Sequence, residues 1–157
     1  MNIAAIFAGL TALTLAAPAA LADKYTVTRS VDISGSPDEA WQAIGDFCDI
    51  DDWHPSITSC VLKSIDGSVH RNLTLADGAE VVEKLVAVDA GGLSLTYAIV
   101  TAPLALDRYT ATLSITRGDP STVTWSGRFT TDDPAMEAFF EGFYDAGLAV
   151  IAGRFGG

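Results

Sequence analysis

Positive charge is scarce in this chain: nine Lys and Arg stand against 20 Asp and Glu, a formal net charge of −11 over 157 residues. Nucleic-acid binding needs a basic patch that displaces counterions from phosphate, so no polynucleotide partner is expected. The same sign opposes docking to anionic lipid headgroups. Histidine and cysteine are equally rare, at two each. The cysteines, Cys48 and Cys60, lack the close Cys-x-x-Cys pairs of a structural zinc site. No GxSxG elbow, phosphate loop or GxGxxG stretch occurs, which leaves hydrolase and nucleotide-binding readings without support. Asp46, Asp49, Asp51 and Asp52 cluster, but without the central glycine and terminal glutamate of a calcium-binding EF-hand loop. Helix capping and solvation account for them more simply, so neither a metal nor a cofactor is expected. Repeats, low-complexity tracts and linkers are absent too, and the length suits one domain.

Apolar residues are concentrated at the start. Residues 1–22 carry no charged side chain, and the stretch from Ile3 passes through Pro18 to Ala20-Leu21-Ala22, after which polarity begins at Asp23-Lys24. The small-x-small ending reads as a cleavable secretory signal peptide, although no Lys or Arg precedes the apolar run. A retained membrane anchor is the other reading. Export predicts a secreted or periplasmic mature domain over 23–157, with no stable membrane insertion after cleavage. An oxidising compartment in turn favours a Cys48–Cys60 disulfide. Two separate buried thiols remain the alternative.

The mature sequence alternates first and turns helical afterwards. Tyr25, Val27, Val31 and Ile33 share one parity, opposite Thr26, Thr28, Ser30 and Asp32, the pattern of a half-buried strand. Ser36-Pro37-Asp38-Glu39 is a helix start with Ser36 as N-cap. A short acidic segment from Asp46 to His54 follows. Six further strands are predicted over 61–65, 69–75, 81–88, 93–100, 109–115 and 123–129, separated by turns such as Asp66-Gly67 and Asp77-Gly78. Pro134 opens a long helix whose stripe includes Met136, Phe139, Phe140, Phe143, Gly147, Val150 and Ile151. The expected architecture is α+β: a seven-stranded curved antiparallel sheet around a long C-terminal helix, with two short helices after strand 1.

Three charges interrupt apolar parities: Arg29 between Val27 and Val31, Arg71 between Val69 and Leu73, and Glu83 between Val81 and Leu85. A three-residue loop, Ala76-Asp77-Gly78, with Gly78 left-handed, pairs Leu73 with Val81 and Arg71 with Glu83. That register keeps the apolar faces together and predicts a cross-strand ion pair on the concave side. Isolated buried charge is too costly, so this face must be paired, wet or both. Tyr97, Tyr109 and Trp125 share its parity, giving an aromatic wall with a few polar groups. A ligand cavity produces such a pattern, and so does a filled core with one tolerated salt bridge. His54 has the chemistry of a general acid or base but reads more simply as a structural or rim residue. His70, at the opposite parity, reads as solvent-facing. The Asn72-Leu73-Thr74 sequon falls within a strand and is taken as chance.

The chain resembles the SRPBCC or START-like superfamily, in its polyketide cyclase/dehydrase and lipid-transport branch. The resemblance is carried by Ser36-Pro37-Asp38-Glu39-Ala40-Trp41, Asp52-Trp53-His54-Pro55, Arg71…Asp77-Gly78…Val82-Glu83-Lys84-Leu85, Tyr97-Ala98-Ile99 and Val123-Thr124-Trp125. It implies a helix-grip fold, in which the last helix and the sheet enclose an elongated hydrophobic cavity that takes lipids, sterols, polyketides or plant hormones. It implies no universal catalytic set, and it places Trp53-His54-Pro55 at the cavity entrance. Ligand contact is therefore expected from Arg29, Arg71, Glu83, Tyr97, Tyr109 and Trp125 on the strands. Phe140 and Phe143 on the last helix and Trp53 and His54 before strand 2 complete the set. The leading expectation is an exported protein binding a small hydrophobic molecule. The alternatives are a cyclase or dehydratase using His54, Glu83 or Tyr97 for proton transfer, and an accessory partner of an exported oxidoreductase.

Overall fold

The computed structural model describes residues 23–156, so the predicted signal peptide lies outside the described residues. Seven strands form one antiparallel sheet: β1 (Asp23–Ile33), β2 (Ile57–Ile65), β3 (Ser68–Leu75), β4 (Glu80–Asp89), β5 (Ser94–Thr101), β6 (Arg108–Thr116) and β7 (Ser121–Thr131). Their spatial order is β1-β7-β6-β5-β4-β3-β2, so every neighbour but one is joined by a hairpin. The exception is β1, which reaches β2 through α1 (Pro37–Ile44) and α2 (Ile50–Trp53). The long helix α3 (Ala135–Phe155) then lies across the concave face. All elements anticipated from periodicity are present, with β2 starting four residues earlier, at Ile57.

Local chemistry sets the ends of these elements. Ser36 Oγ accepts the Glu39 amide at 3.3 Å, and Pro37 occupies the first helical turn. The β3–β4 turn adopts the predicted form, with Gly78 at φ 87° and Leu73 opposite Val81. Gly156 ends α3 in the left-handed conformation, and its carbonyl accepts Ser34 Oγ at 2.6 Å. That bond, with Gly35 N–H donating to Phe155 O at 2.9 Å, ties the end of α3 to the β1–α1 turn.

Alternation places Val27, Leu73, Val81, Leu95, Ala111, Leu113, Val123 and Phe129 on the concave face, where they are buried against the helices. The buried stripe of α3 comprises Phe140, Tyr144, Gly147, Leu148 and Ile151. Tyr144 and Leu148, absent from the predicted stripe, occupy its centre, while Phe139 remains 38% exposed. Cys48 and Cys60 are disulfide-bonded with Cα atoms 5.6 Å apart, fastening the α1–α2 connection to edge strand β2. Asp51 Oδ2 reinforces this junction by accepting the Cys60 amide at 2.8 Å. Replacing both cysteines by serine should lower unfolding free energy by about 3 kcal/mol, as a loop of this size predicts. Denaturant titration of the two forms under non-reducing conditions measures it.

Candidate functional site

The register brings Arg71 opposite Glu83, and both side chains turn to the concave face. Arg71 Nε donates to Glu83 Oε2 at 2.6 Å, and Nη1 donates to the Phe47 carbonyl. The guanidinium also lies over the rings of Phe47 and Tyr97, 4.4 and 4.7 Å from their centroids. Arg71 is 2% exposed and Glu83 5%, so the charges survive burial through paired bonds and aromatic faces.

Beside this pair lies a narrow cavity of about 30 Å3 between the sheet and α3. Its strand lining includes Leu73, Leu75, Val81, Tyr97, Ile99 and Tyr109; Phe139, Phe140 and Phe143 close it from α3. Glu83 is the only charged residue in this lining among the described residues. The volume accommodates a couple of water-sized spheres, whereas pockets for drug-sized ligands run to about 300–1,000 Å3. Aromatic side chains fill most of the space in this conformation. Phe140 stacks on Tyr109 at 4.7 Å, and Phe143 stacks on His54 at 4.0 Å.

Two buried hydrogen bonds join the cavity's tyrosines to the core behind them. Trp125 Nε1 donates to Tyr97 Oη at 2.9 Å, and Tyr109 and Tyr144 share a 2.5 Å bond. Burial pushes the Tyr97 phenol well above its ordinary value, and the Glu83 charge adds to the shift. Burial likewise raises Tyr109 and Tyr144. At neutral pH all three stay protonated and are unsuited to abstracting protons.

His54 sits behind this cavity. It is 2% exposed: Nε2 meets the Phe143 carbonyl at 2.9 Å, and Nδ1 accepts the Ser56 amide at 3.1 Å. An amide donating to Nδ1 fixes the neutral Nε2–H tautomer and occupies both nitrogens. Desolvation holds the imidazole pKa below its usual 6.5, with nearby Arg71 contributing in the same direction. The unfolded chain therefore binds more protons as pH falls through 6.5, and the folded state loses stability there. A His54→Gln variant should lose that pH dependence, as thermal unfolding between pH 7.5 and 5 would show.

The predicted contacts do not share one place. Glu83, Tyr97, Tyr109, Phe140 and Phe143 line the cavity. Trp53, Arg71 and Trp125 border a second void of about 10 Å3, on the other side of Tyr97. Trp53 and His54 are interior rather than at an entrance, because α3 presses onto them at Gly147. Trp53 Nε1 is buried with no hydrogen-bond partner among the described residues. Arg29 stands apart: it holds α3 to β1 through Glu141 Oε1 at 2.7 Å and Asp145 Oδ1 at 3.2 Å.

The expected ligand contacts left out Leu73, Leu75 and Val81, although their parity with Arg71 and Glu83 already placed them on this face. Phe139 is one turn before Phe143 and was legible in the same way. Leu104, in the β5–β6 connection, carries no periodic signal. His70 corrects an expectation: it occupies the outer face but is 6% exposed, with Nδ1 3.2 Å from Ser68 O. Its cross-strand neighbours are Lys63 and Lys84, whose long apolar stems suit covering a ring between them.

A curved seven-stranded sheet gripping a C-terminal helix, with a lined cavity between, defines a helix-grip protein. The family described as polyketide cyclase/dehydrase and lipid transport matches residues 24–156, and the chain belongs to it. The structure is similar to XoxI from Bacillus cereus, at 34% identity over 83% of this chain and 94% of that one, with a TM-score of 0.75. An uncharacterised protein from Bacillus thuringiensis is 32% identical over 83% of this chain and 98% of its own, with a TM-score of 0.76. The Zhui aromatase/cyclase from Streptomyces sp. R1128 shares the fold at 15% identity, covering 84% and 93% of the two chains, with a TM-score of 0.71. No curated protein matches.

Proposed function

We propose that this is an exported binding protein that holds a small hydrophobic molecule between the sheet and α3. The observation carrying this reading is the lining itself: apolar and aromatic groups around one carboxylate already paired with Arg71. Such a surface gains from excluding water and offers few directional contacts, which favours lipid- or polyketide-like ligands over polar ones. Entry requires displacement of aromatic side chains, and Phe139, half in solvent at the cavity wall, is the natural first mover. The disulfide supports an oxidising compartment, and no described helix is long and apolar enough to cross a membrane.

Native mass spectrometry of the protein purified from its own source tests this directly, since a co-purifying lipophilic mass is expected. Failure to find one, combined with no response to a panel of apolar fluorescent probes, would refute the reading. Phe139→Ala should speed probe uptake severalfold in stopped-flow measurements, with little effect on the folded core.

A cyclase or dehydratase is the second reading, favoured by the presence of Glu83 and Tyr97 in the same lining. His54 contributes less to it, since both its nitrogens are engaged outside the cavity wall. Glu83→Gln separates the two: an enzyme loses turnover at unchanged ligand affinity, whereas a binder has no turnover to lose.

A further inference from the structure

We propose that the outer face of the sheet, opposite the ligand cavity, is a docking surface for an acidic patch on a protein partner. The inference begins with how the nine cations divide. Arg29, Arg71 and Arg117 are held by carboxylates, and Arg154 by the Asp52 carbonyl; all four belong to the helix-bearing side or to loops. The other five, Lys24, Lys63, Lys84, Arg108 and Arg128, point outward from β1, β2, β4, β6 and β7. All five are exposed, and none makes a salt bridge among the described residues. A chain of net charge −11 thus puts every free cation on one face.

The register shows the arrangement. Thr130 has Lys24 on one side and Arg108 on the other, and in the next row Arg128 lies between Thr26 and Thr110. Strand spacing sets the Lys24 and Arg108 backbones about 10 Å apart, with Arg128 offset by two residues on the strand between. These three cations border an open groove of about 730 Å3 otherwise lined largely by threonines, with no carboxylate. A second pair, Lys63 and Lys84, flanks His70 toward the other edge. The outward-facing acids, Asp32, Glu80 and Asp89, all sit at strand ends.

Charge complementarity therefore calls for carboxylates on the occupant. The cations span six strand spacings, roughly 30 Å, which is the breadth of a protein interface rather than of a small ion. Exposed Val61, Ile65 and Val100 on the same face add apolar contact that a bare polyanion would not use. Those residues lie flat in strands and cannot insert into a bilayer as a protruding loop does. A cavity on one face and a docking surface on the other would let the partner be held while the ligand entrance stays free.

The test uses the mature protein, isotope-labelled, titrated with an oligo-glutamate peptide as the acidic probe. Amide shifts are expected on β1, β6 and β7 around Lys24, Arg108 and Arg128, weakening as sodium chloride rises. The triple variant Lys24→Thr, Arg108→Thr, Arg128→Thr should bind about tenfold or more weakly. It introduces only the residue type already dominant in those rows, and unchanged thermal unfolding and apolar-probe uptake would show that the core is intact. No saturable shift on this face, or equal binding by the triple variant, overturns the proposal. So does tighter binding of phosphatidylglycerol vesicles than of the peptide, which would assign the face to a membrane. Concentration-dependent self-association abolished by the same variant would overturn it in favour of a second copy.

Discussion

Replacing Arg71 with methionine should remove roughly 3–5 kcal/mol of stability, the cost of leaving a buried charge without its partner. In a domain of this size that lowers the midpoint of thermal unfolding by about 10–20 °C. The substitution keeps much of the apolar stem but deletes three interactions together: the bond to Glu83, the bond to the Phe47 carbonyl, and the contact with the Phe47 and Tyr97 rings. Glu83, 5% exposed, is left facing hydrocarbon. Adding Glu83→Leu to the same variant should recover most of the loss, because the uncompensated carboxylate disappears. Differential scanning calorimetry of the two singles, the double and the parent closes the cycle. A loss under about 1 kcal/mol for Arg71→Met would mean that water reaches Glu83 through the cavity, so that the phenylalanines of α3 already stand open in solution.

The ion pair also shows how far sequence could go. Parity and the left-handed glycine of the β3–β4 turn determined the register, and the register determined which two charges meet. That logic is local, resting on the two-residue period of a strand and the geometry of one loop. It extended to Tyr97, Tyr109 and Leu73, all on the same pleated surface. It failed where the third dimension enters. Whether aromatic side chains leave a hollow or fill it depends on how close α3 lies, and nothing in a periodicity reports that distance. The hidden positions of Trp53 and His54 follow from the same fact, since a dipeptide in a connecting segment reads as a rim until a helix is laid over it. His70 failed for another reason: its outward parity was right, but how far a strand residue is covered depends on its cross-strand neighbours, here two lysines, and not on its parity.

The distance of α3 is governed at Gly147, where an added methyl should act as a wedge. A Cβ there would lie 2.6 Å from His54 Cδ2, 2.9 Å from Trp53 Cζ3 and 3.0 Å from Trp125 Cζ3. These are ring atoms of buried residues, two of them among the largest in the core, and none can swing aside into solvent. Gly147→Ala should therefore cost about 1–3 kcal/mol through overpacking, outweighing the helix-propensity gain of ~1 kcal/mol. Gly142 and Gly153 on the same helix have nothing within 4 Å and are exposed, so alanine at either should instead stabilise by up to about 1 kcal/mol. Opposite signs along one helix isolate the close approach from propensity, and chemical denaturation of the three variants reads them. The functional consequence follows from the geometry. Phe140 and Phe143 lie one to two turns before Gly147, so pushing α3 outward there lifts the rings that fill the cavity. Gly147→Ala should accordingly bind apolar probes more readily than the parent while being less stable, and Gly142→Ala should do neither. Loss of stability without any gain in probe binding would show that the cavity opens by side-chain rotation alone, with α3 fixed in place.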